Sequence, residues 1–415
     1  MAGVSPDARV RNGSFRSLRH VNYRLWFAGS LVSNTGTWMQ RTAQDWLVLT
    51  ELTHRDARAV GVVMALQFAP QFLLLPWTGA AADHMDRRKL LMLTQAAMGL
   101  LSLALGLLTV LHVVRLWEVY LFAFLSGSAA AFDAPVRQTF VGELVGEEDL
   151  ANAVALNSTS FNAARMVGPA VSGLCIAAIG TGWAFMVNGV SFFAVLVSLA
   201  SLRRGQLYGE ARPPRRPGSL FEGFRYVARR PDLRAIALML FLIGTFGLNF
   251  PIFISTMAVG VFHANAAQYG ILSSAIAVGT FAGAFMATSR HPRFPMLTAG
   301  AGLFGLGCVL AALAPTYWFF AAALVLIGLA TLTVTNRSNT LMQLTSDPAM
   351  RGRVMAIRLA IALGGTPIGA PFVGWVAHSW GPRWALGVGA LSGVLAMLVG
   401  LRYQRTVEAC SATIP

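Results

Sequence analysis

Arg41 and Asp45 stand four residues apart in a largely apolar stretch, which on a helix puts a cation and a carboxylate on one face. A carboxylate in that setting can take up and release a proton, its affinity set by burial and by the neighbouring cation, which act in opposite senses. Asp45 is therefore the first candidate for a proton-coupling group, with Arg41 beside it at an outer gate. The same spacing also suits a fixed ion pair that holds one mouth of the molecule together. Asp133 and Arg137 repeat the spacing in a later stretch. Arg165 could receive an anionic group of a small molecule, respond to proton uptake, or pair with Asp133. Arg337 could simply extend its guanidinium to the membrane surface.

Uncharged polar side chains are scattered among the same stretches: Gln40, Gln67, Gln71, Asn162, Asn188, Asn249 and Asn339. Some of these are expected to line a central cavity, although helix-to-helix hydrogen bonding is the commoner fate of any one of them. Trp38, Phe68, Phe72, Phe246 and Phe250 could wall such a cavity or could face lipid. His112, His263 and His378 fall at the ends of stretches and read as interfacial. No phosphate-binding Gly-x-x-x-x-Gly-Lys-Ser/Thr loop, no His/Glu metal arrangement and no Ser/His/Asp set stands out. ATP, a metal, a cofactor and enzyme catalysis are not expected.

These residues are carried by twelve apolar runs between Leu25 and Leu401. A helix needs roughly 20 apolar residues to cross a bilayer core about 30 Å thick. Our spans are 24–49, 58–82, 90–112, 117–139, 157–179, 183–202, 234–257, 267–288, 296–314, 316–340, 355–377 and 383–402. Composition agrees: 55% of the 415 residues are hydrophobic, 12% are charged and the mean hydropathy is +0.60. The formal net charge of +15 does not point to nucleic acid, because the basic residues lie between the runs rather than in a folded patch. Every one is arginine except Lys89. With the N-terminus inside, Arg9, Arg11, Arg16, Arg19, Arg87, Arg88, Lys89, the run Arg203 to Arg230, Arg351 and Arg353 all fall on the cytoplasmic side. Arg55, Arg58, Arg115 and Arg383 remain outside. Basic residues concentrate in cytoplasmic loops, so both termini are expected inside. No signal peptide is read in the first twenty residues, and Cys175, Cys308 and Cys410 have no ligand spacing.

The longest interruption holds Arg-Pro-Pro-Arg-Arg-Pro-Gly at Arg212–Gly218, a poor helix and a good linker. It implies an N-terminal segment 1–23, a six-helix bundle 24–202, a cytoplasmic linker 203–233, a second bundle 234–402 and a cytoplasmic tail 403–415. Leu220 to Arg230 could lie amphipathically on the inner leaflet or belong to the solvated linker. The halves also repeat. Gly79 matches Gly283, Arg137–Leu144 matches Arg337–Leu344, and Pro169 matches Pro371, at offsets of 204, 200 and 202. Duplicated halves of this kind place a site near the midplane at their interface.

Within that frame Gly79-Ala80-Ala81-Ala82-Asp83-His84-Met85-Asp86-Arg87-Arg88-Lys89 resembles the Gly-x-x-x-Asp-Arg-x-Gly-Arg-Arg/Lys motif of the major facilitator superfamily, departing from it at His84 and Asp86. Gly79 permits close helix ends, and Asp83 can face the positive start of a neighbouring helix. The resemblance implies an inner gate in which Asp83 engages the start of helix eleven. It also implies that an arginine, Arg87 or Arg88, engages an acid low on helix four, here Asp133, with Arg137 next to it. Ala164-Arg165-Met166-Val167-Gly168-Pro169-Ala170-Val171-Ser172-Gly173 is similar to the Gly-x-x-x-Gly-Pro-x-x-Gly-Gly motif of drug/proton antiporters, with Ala164 and Ser172 replacing glycines. Asn22-Tyr23-Arg24-Leu25, Gly36–Arg41 and Asp133–Gln138 look like bacterial facilitators of the enterobactin-exporter or transmembrane secretion effector type. One departure is that Ala123 stands where such antiporters often carry an arginine on helix four. Coupling through that arginine is excluded.

The expectation is an all-α membrane protein of twelve transmembrane helices in two pseudo-symmetric six-helix bundles. It would be a monomer in the bacterial inner membrane, surrounded by lipid, exporting a small organic molecule (a drug, siderophore or metabolite) by proton antiport. Candidate cavity residues are Trp38, Gln40, Gln67, Gln71, Asn162, Asn249 and Asn339. An importer or lipid flippase of the same fold, or a sensor that moves nothing, would fit the same residues.

Overall fold

A computed structural model describes residues 15–208, 220–287, 293–348 and 350–412. Among them the chain is helical almost throughout. A short turn of 3-10 helix, Arg16–Arg19, leads into α1 (Val21–Trp46), which continues through a π-helical turn, Leu47–Leu52. Then come α2 (Ala57–Leu73), α3 (Leu75–His84), α4 (Arg87–Val110), α5 (Leu116–Leu144), α6 (Glu147–Ile179) and α7 (Thr181–Ala200). The second half begins with α8 (Leu220–Arg229) and α9 (Pro231–Leu242), which runs through a π turn, Ile243–Gly247, into α10 (Phe250–Gly260). It ends with α11 (Ala266–Ala287), α12 (Phe294–Ala312), α13 (Tyr317–Thr345), α14 (Arg351–Ser379) and α15 (Pro382–Ala412).

Twelve spans follow when α2 with α3, and α9 with α10, are each counted as one broken crossing. Among the described residues nine spans are individually long and apolar enough to cross a membrane. The others are α1, the α2–α3 pair and α11. Ser30, Ser33, Thr42, Gln44 and Asp45 of α1 are buried inside the protein, so its polar character does not meet lipid. The second span is interrupted at Leu74, just after Pro70, a residue that cannot donate to the helical ladder.

Start signals are local. Asp56 caps α2 by accepting from the Arg58 amide (2.9 Å), and Asp86 caps α4 by accepting from the Lys89 amide (3.0 Å). α6 begins ten residues before the expected span at 157, because Glu147, Glu148 and Asp149 fill its first turn and complement the helix dipole outside the bilayer. Leu220–Arg229 is a helix rather than loose linker. It packs on α9 and α14, with Tyr226 donating to Asp347 (2.9 Å) and Glu222 pairing with Arg353 (3.2 Å). The motif at Arg212–Gly218 lies outside the described residues.

Each half packs internally in the same way: α4 on α7 and α2 on α5 in the first, α12 on α15 and α11 on α13 in the second. The repeat reaches single glycines. A Cβ on Gly127 of α5 would stand 2.3 Å from the Gln67 carbonyl of α2, and one on Gly328 of α13 would stand 2.2 Å from the Ile276 carbonyl of α11. Those two glycines are 201 residues apart.

The halves meet along two seams, α6 against α11 and α2 against α14. Four glycines press them together toward one end, called here the closed end. A Cβ on Gly173 would lie 2.5 Å from the Ala266 carbonyl, and one on Gly270 2.4 Å from the Pro169 carbonyl. Across the other seam, a Cβ on Gly61 would lie 2.5 Å from the Ala370 carbonyl, and one on Gly374 2.7 Å from the Ala57 carbonyl. The antiporter-like stretch thus has a steric purpose: backbone meets backbone where any side chain would hold the halves apart. The twelve-fold alternation puts the start of α1 and the end of α15 at the opposite end.

Candidate functional site

Between the two halves, next to the seams, lies a cavity of about 190 Å³. Six spans line it. Trp38, Arg41, Thr42 and Asp45 come from α1, Met64, Gln67 and Phe68 from α2, and Arg165 and Pro169 from α6. Leu248, Phe250, Pro251 and Ile254 come from the break and start of α10, Tyr269, Ser273 and Ile276 from α11, and Thr366 from α14. First, second and fifth spans therefore face their repeats, the seventh, eighth and eleventh.

Helical spacing explains the cluster on α1, since Trp38, Arg41, Thr42 and Asp45 follow the three-and-four rhythm of one face. The Arg41 guanidinium lies 4.9 Å from the Trp38 ring centre and 5.7 Å from that of Phe68. Arg165 lies 5.7 Å from the same Trp38 ring. Cations over aromatic faces are attracted by the ring quadrupole but keep their charge. Arg41 and Asp45 share the cavity, yet no ion pair joins them among the described residues. Asp45, 8% exposed, instead accepts from the Tyr269 hydroxyl at 3.4 Å, a contact that joins α1 to α11 across the seam. The Tyr269 ring also stacks on Trp46, with centres 5.7 Å apart. Tyr269, Ser273 and Thr366 carried no signal in the sequence, because no local pattern marks which tyrosine or threonine of an apolar helix turns inward.

Several expected cavity residues sit elsewhere. Gln40 points into the first half, where its side-chain oxygen accepts from Ser102 (2.6 Å) and from the Asn188 amide. Asn249 is fully buried and donates to the Thr245 carbonyl (2.8 Å). Asn162 donates to the Ser158 carbonyl one turn back (2.9 Å). Neither these three nor Gln71 or Asn339 lines the cavity, whereas Trp38 and Gln67 do. A polar residue in a membrane helix is satisfied by its nearest partner, and for Gln40 and Asn249 that partner is inside one half.

The expected inner gate is rearranged. Asp133 is held by Arg137 (2.8 Å), Thr94 (2.9 Å) and Gln95 (2.6 Å), so its oxygens are engaged within the first half. Arg87 pairs with Glu143 (2.9 Å), two helical turns and more beyond Asp133 and nearer the helix end where Arg87 emerges. Glu143 lies in the repeated octapeptide, and in this arrangement it, not Asp133, meets Arg87. Arg88 donates to the carbonyls of Leu199 (2.6 Å) and Ala200 (3.0 Å), closing the end of α7. Gly79 lies within α3; the side chain of Asp83 is outside the described residues. Arg165 does not pair with Asp133, being turned to the cavity. Arg337 is buried, 8% exposed, rather than reaching the surface. His378 is more than interfacial, since it meets Asp56 across the α2–α14 seam at 3.1 Å.

Outside the membrane spans, Asp149 at the start of α6 is 1% exposed and receives Arg16, Arg19 (2.8 Å) and His20 (2.7 Å). Burial alone pushes its carboxyl up, but the bonds from His20 and Arg16 and the charges of Arg16 and Arg19 outweigh it. The group is held below the usual carboxylate range.

A cavity between two repeated six-span halves, closed at one end by matched seams, is the architecture of a membrane transporter of the major facilitator type. The chain belongs to the transmembrane secretion effector family, whose model it matches over residues 12–413. It is 27% identical over 347 residues to the enterobactin exporter EntS of Citrobacter koseri, covering 82% of each chain. It is 29% identical to the staphyloferrin A transporter of Staphylococcus aureus over 178 residues, 42% of this chain and 44% of that one. Among solved structures, a bacterial homolog to the human lysosomal transporter Spinster, inward-facing and unoccupied, superposes with a TM-score of 0.73 at 17% identity, covering 97% and 98% of the two chains. A bacterial homologue of the iron transporter ferroportin, also inward-facing, gives a TM-score of 0.69 at 13% identity, covering 92% and 98%. The protein is an integral membrane transporter, not an enzyme.

Proposed function

We propose that this transporter exports small organic molecules, siderophores or compounds of similar character, from a bacterial cytoplasm across the inner membrane in exchange for protons. The bundles 24–202 and 234–402 move as two units about the cavity, with the segments 1–23, 203–233 and 403–415 in the cytoplasm, and one chain suffices. The closed end then faces outward. When the halves tilt the other way, the α6–α11 and α2–α14 seams part and the inner ends close. The inner gate is built on Gly79, Asp83, Arg87 and Arg88, with Asp133 and Arg137 bracing α5 behind it.

The observation that carries the reading is that Asp45 is the sole carboxylate among the residues lining the cavity and bonds across the seam to Tyr269. Exchange requires that proton and cargo compete for one group. An ionised Asp45 accepts a hydroxyl or ammonium of the cargo, and a proton arriving from outside takes that place and releases it. Arg41 lies one turn away on the same face of α1 and lines the same cavity. Proteoliposomes loaded with enterobactin and given an imposed pH gradient test this. Wild type should expel cargo in proportion to the gradient, and Asp45→Asn should abolish that dependence while the protein remains folded. Gradient-driven efflux that survives in Asp45→Asn would reject the assigned role.

A further inference from the structure

We propose that the cavity is an anion site, in which a carboxylate or comparable oxyanion of the cargo sits between Arg41 and Arg165 beside Trp38. Calling that anion part of a cargo rests on the transport reading; the binding site itself does not.

The charges come first. The lining holds two guanidiniums and one carboxylate, which leaves one positive charge uncompensated. Elsewhere inside this protein an arginine is given an acid: Arg137 has Asp133 and Arg87 has Glu143. Arg358, also inside, donates to the Thr335 carbonyl. Arg41 and Arg165 receive neither an acid nor a carbonyl among the described residues, and Arg41 Nε is buried with no hydrogen-bond partner. A cation taken out of water without a counter-charge is costly, and in a membrane span such a group marks a ligand path or a missing partner. No ion pair joins Asp45 to Arg41 among the described residues, and one Asp45 oxygen accepts from Tyr269.

Shape supports the same ligand. Both guanidiniums approach one indole ring, Trp38, and both residues line the one cavity. Planar guanidiniums present paired N–H donors that match a carboxylate or phosphate edge. Much of the remaining wall is apolar or aromatic, including Met64, Phe68, Phe250 and Ile254, with Thr42, Gln67, Ser273 and Thr366 as neutral polar points. At about 190 Å³ the space is smaller than pockets of about 300–1,000 Å³ that enclose a whole drug-sized ligand. It therefore takes the anionic head of an amphiphilic molecule, with the donor group that meets Asp45 nearby.

The test uses the purified full chain in detergent and three probes of similar size: phthalate, its neutral dimethyl ester, and benzyltrimethylammonium. Thermal stabilisation and calorimetric binding should favour phthalate over the other two by at least about tenfold. Arg41→Gln and Arg165→Gln should each weaken phthalate by about 10- to 100-fold, the range for losing hydrogen bonds to a charged group. Arg165→Lys should recover part of it, since the charge returns without the paired donors. Equal or tighter binding of the ester or the ammonium would overturn the proposal, as would folded arginine variants that bind phthalate unchanged. If the variants fail to fold, the ranking of the three probes on wild type decides. Anion binding without flux of any cargo in liposomes would sink the export reading and leave this site standing, and flux through an anion-indifferent cavity would do the reverse.

Discussion

Replacing Gly270 should wedge the closed end open. Its missing side chain leaves the α11 backbone in contact with α6, where an added Cβ would stand 2.4 Å from the Pro169 carbonyl and 3.1 Å from the Gly173 Cα. Ordinary van der Waals contact begins near 3.4 Å, so the helices must separate by about an ångström, and both colliding groups are backbone that cannot rotate away. Overpacking of this kind costs about 1–3 kcal/mol. The cost falls only on the arrangement in which the seam is shut, so it shifts the balance between shut and parted forms by about 5- to 150-fold. Gly270→Ala should sit at the lower end of that range and Gly270→Leu at the upper.

Nitroxide labels at Ala178 and Gln268, both exposed near the closed ends of α6 and α11, report the separation directly by pulsed electron resonance. In wild type one short distance should dominate; in Gly270→Leu a longer one should appear and grow. Gly387→Ala is the control, because a Cβ there meets nothing nearer than a Trp384 ring atom at 3.9 Å, and it should leave the distribution alone. A folded Gly270→Leu with the wild-type distribution would refute the idea that backbone contact at this seam sets the closed state.

Other outcomes follow from the same contacts. Gln40→Leu should destabilise the first half by about 0.5–1.5 kcal/mol, since the Asn188 amide loses its nearest acceptor while Ser102 keeps the Phe185 carbonyl; a thermal melt in detergent checks it, with little effect on ligand binding expected. Asp149→Asn should free the segment before α1 to proteolysis, at a cost of about 1–3 kcal/mol from bonds to a charged group. Because the folded pKa of Asp149 is depressed, its contribution is present above the unfolded value near 3.9 and is lost as pH falls below that toward the folded value. Protection of the segment should therefore weaken in that acid window. His378→Gln should move the balance at the closed end far less than Gly270→Leu, because His378 and Asp56 are 38% and 25% exposed, and such pairs are worth at most about 1 kcal/mol.

The fold was legible because lipid imposes it. Apolar runs of span length, interrupted by arginine-rich loops and repeated at a spacing near 202, leave few arrangements open. The cavity was legible where charge had no other excuse: Arg41, Asp45 and Arg165 stand in apolar helices, and all three line it. It was not legible in neutral residues. Gln40 and Gln67 are the same residue type in adjacent spans, yet one bonds Ser102 and the other borders the cavity, a choice made by helix rotation that no local pattern records. Nor was the acid that meets Arg87 in this arrangement legible. Asp133 and Glu143 are both acids on α5, and only the position of Arg87 at the start of α4 selects Glu143.

The cavity wall and the seam are made of the same residues. Pro169 lines the cavity while its carbonyl abuts Gly270, and Tyr269, the residue before Gly270, reaches Asp45. A ligand that draws Asp45 toward itself acts on the Tyr269 hydroxyl, whose residue neighbours Gly270 at the α6–α11 seam. The bond is long at 3.4 Å and its loss costs little by itself. On the proposed transport cycle, closure is assigned to the backbone contact and the link from cavity to seam to the hydroxyl. Tyr269→Phe separates the two: it should leave the label distances of the empty protein nearly as they are, while removing the change that ligand produces in them. A Tyr269→Phe protein whose label distances still respond to ligand as wild type does would place that link elsewhere.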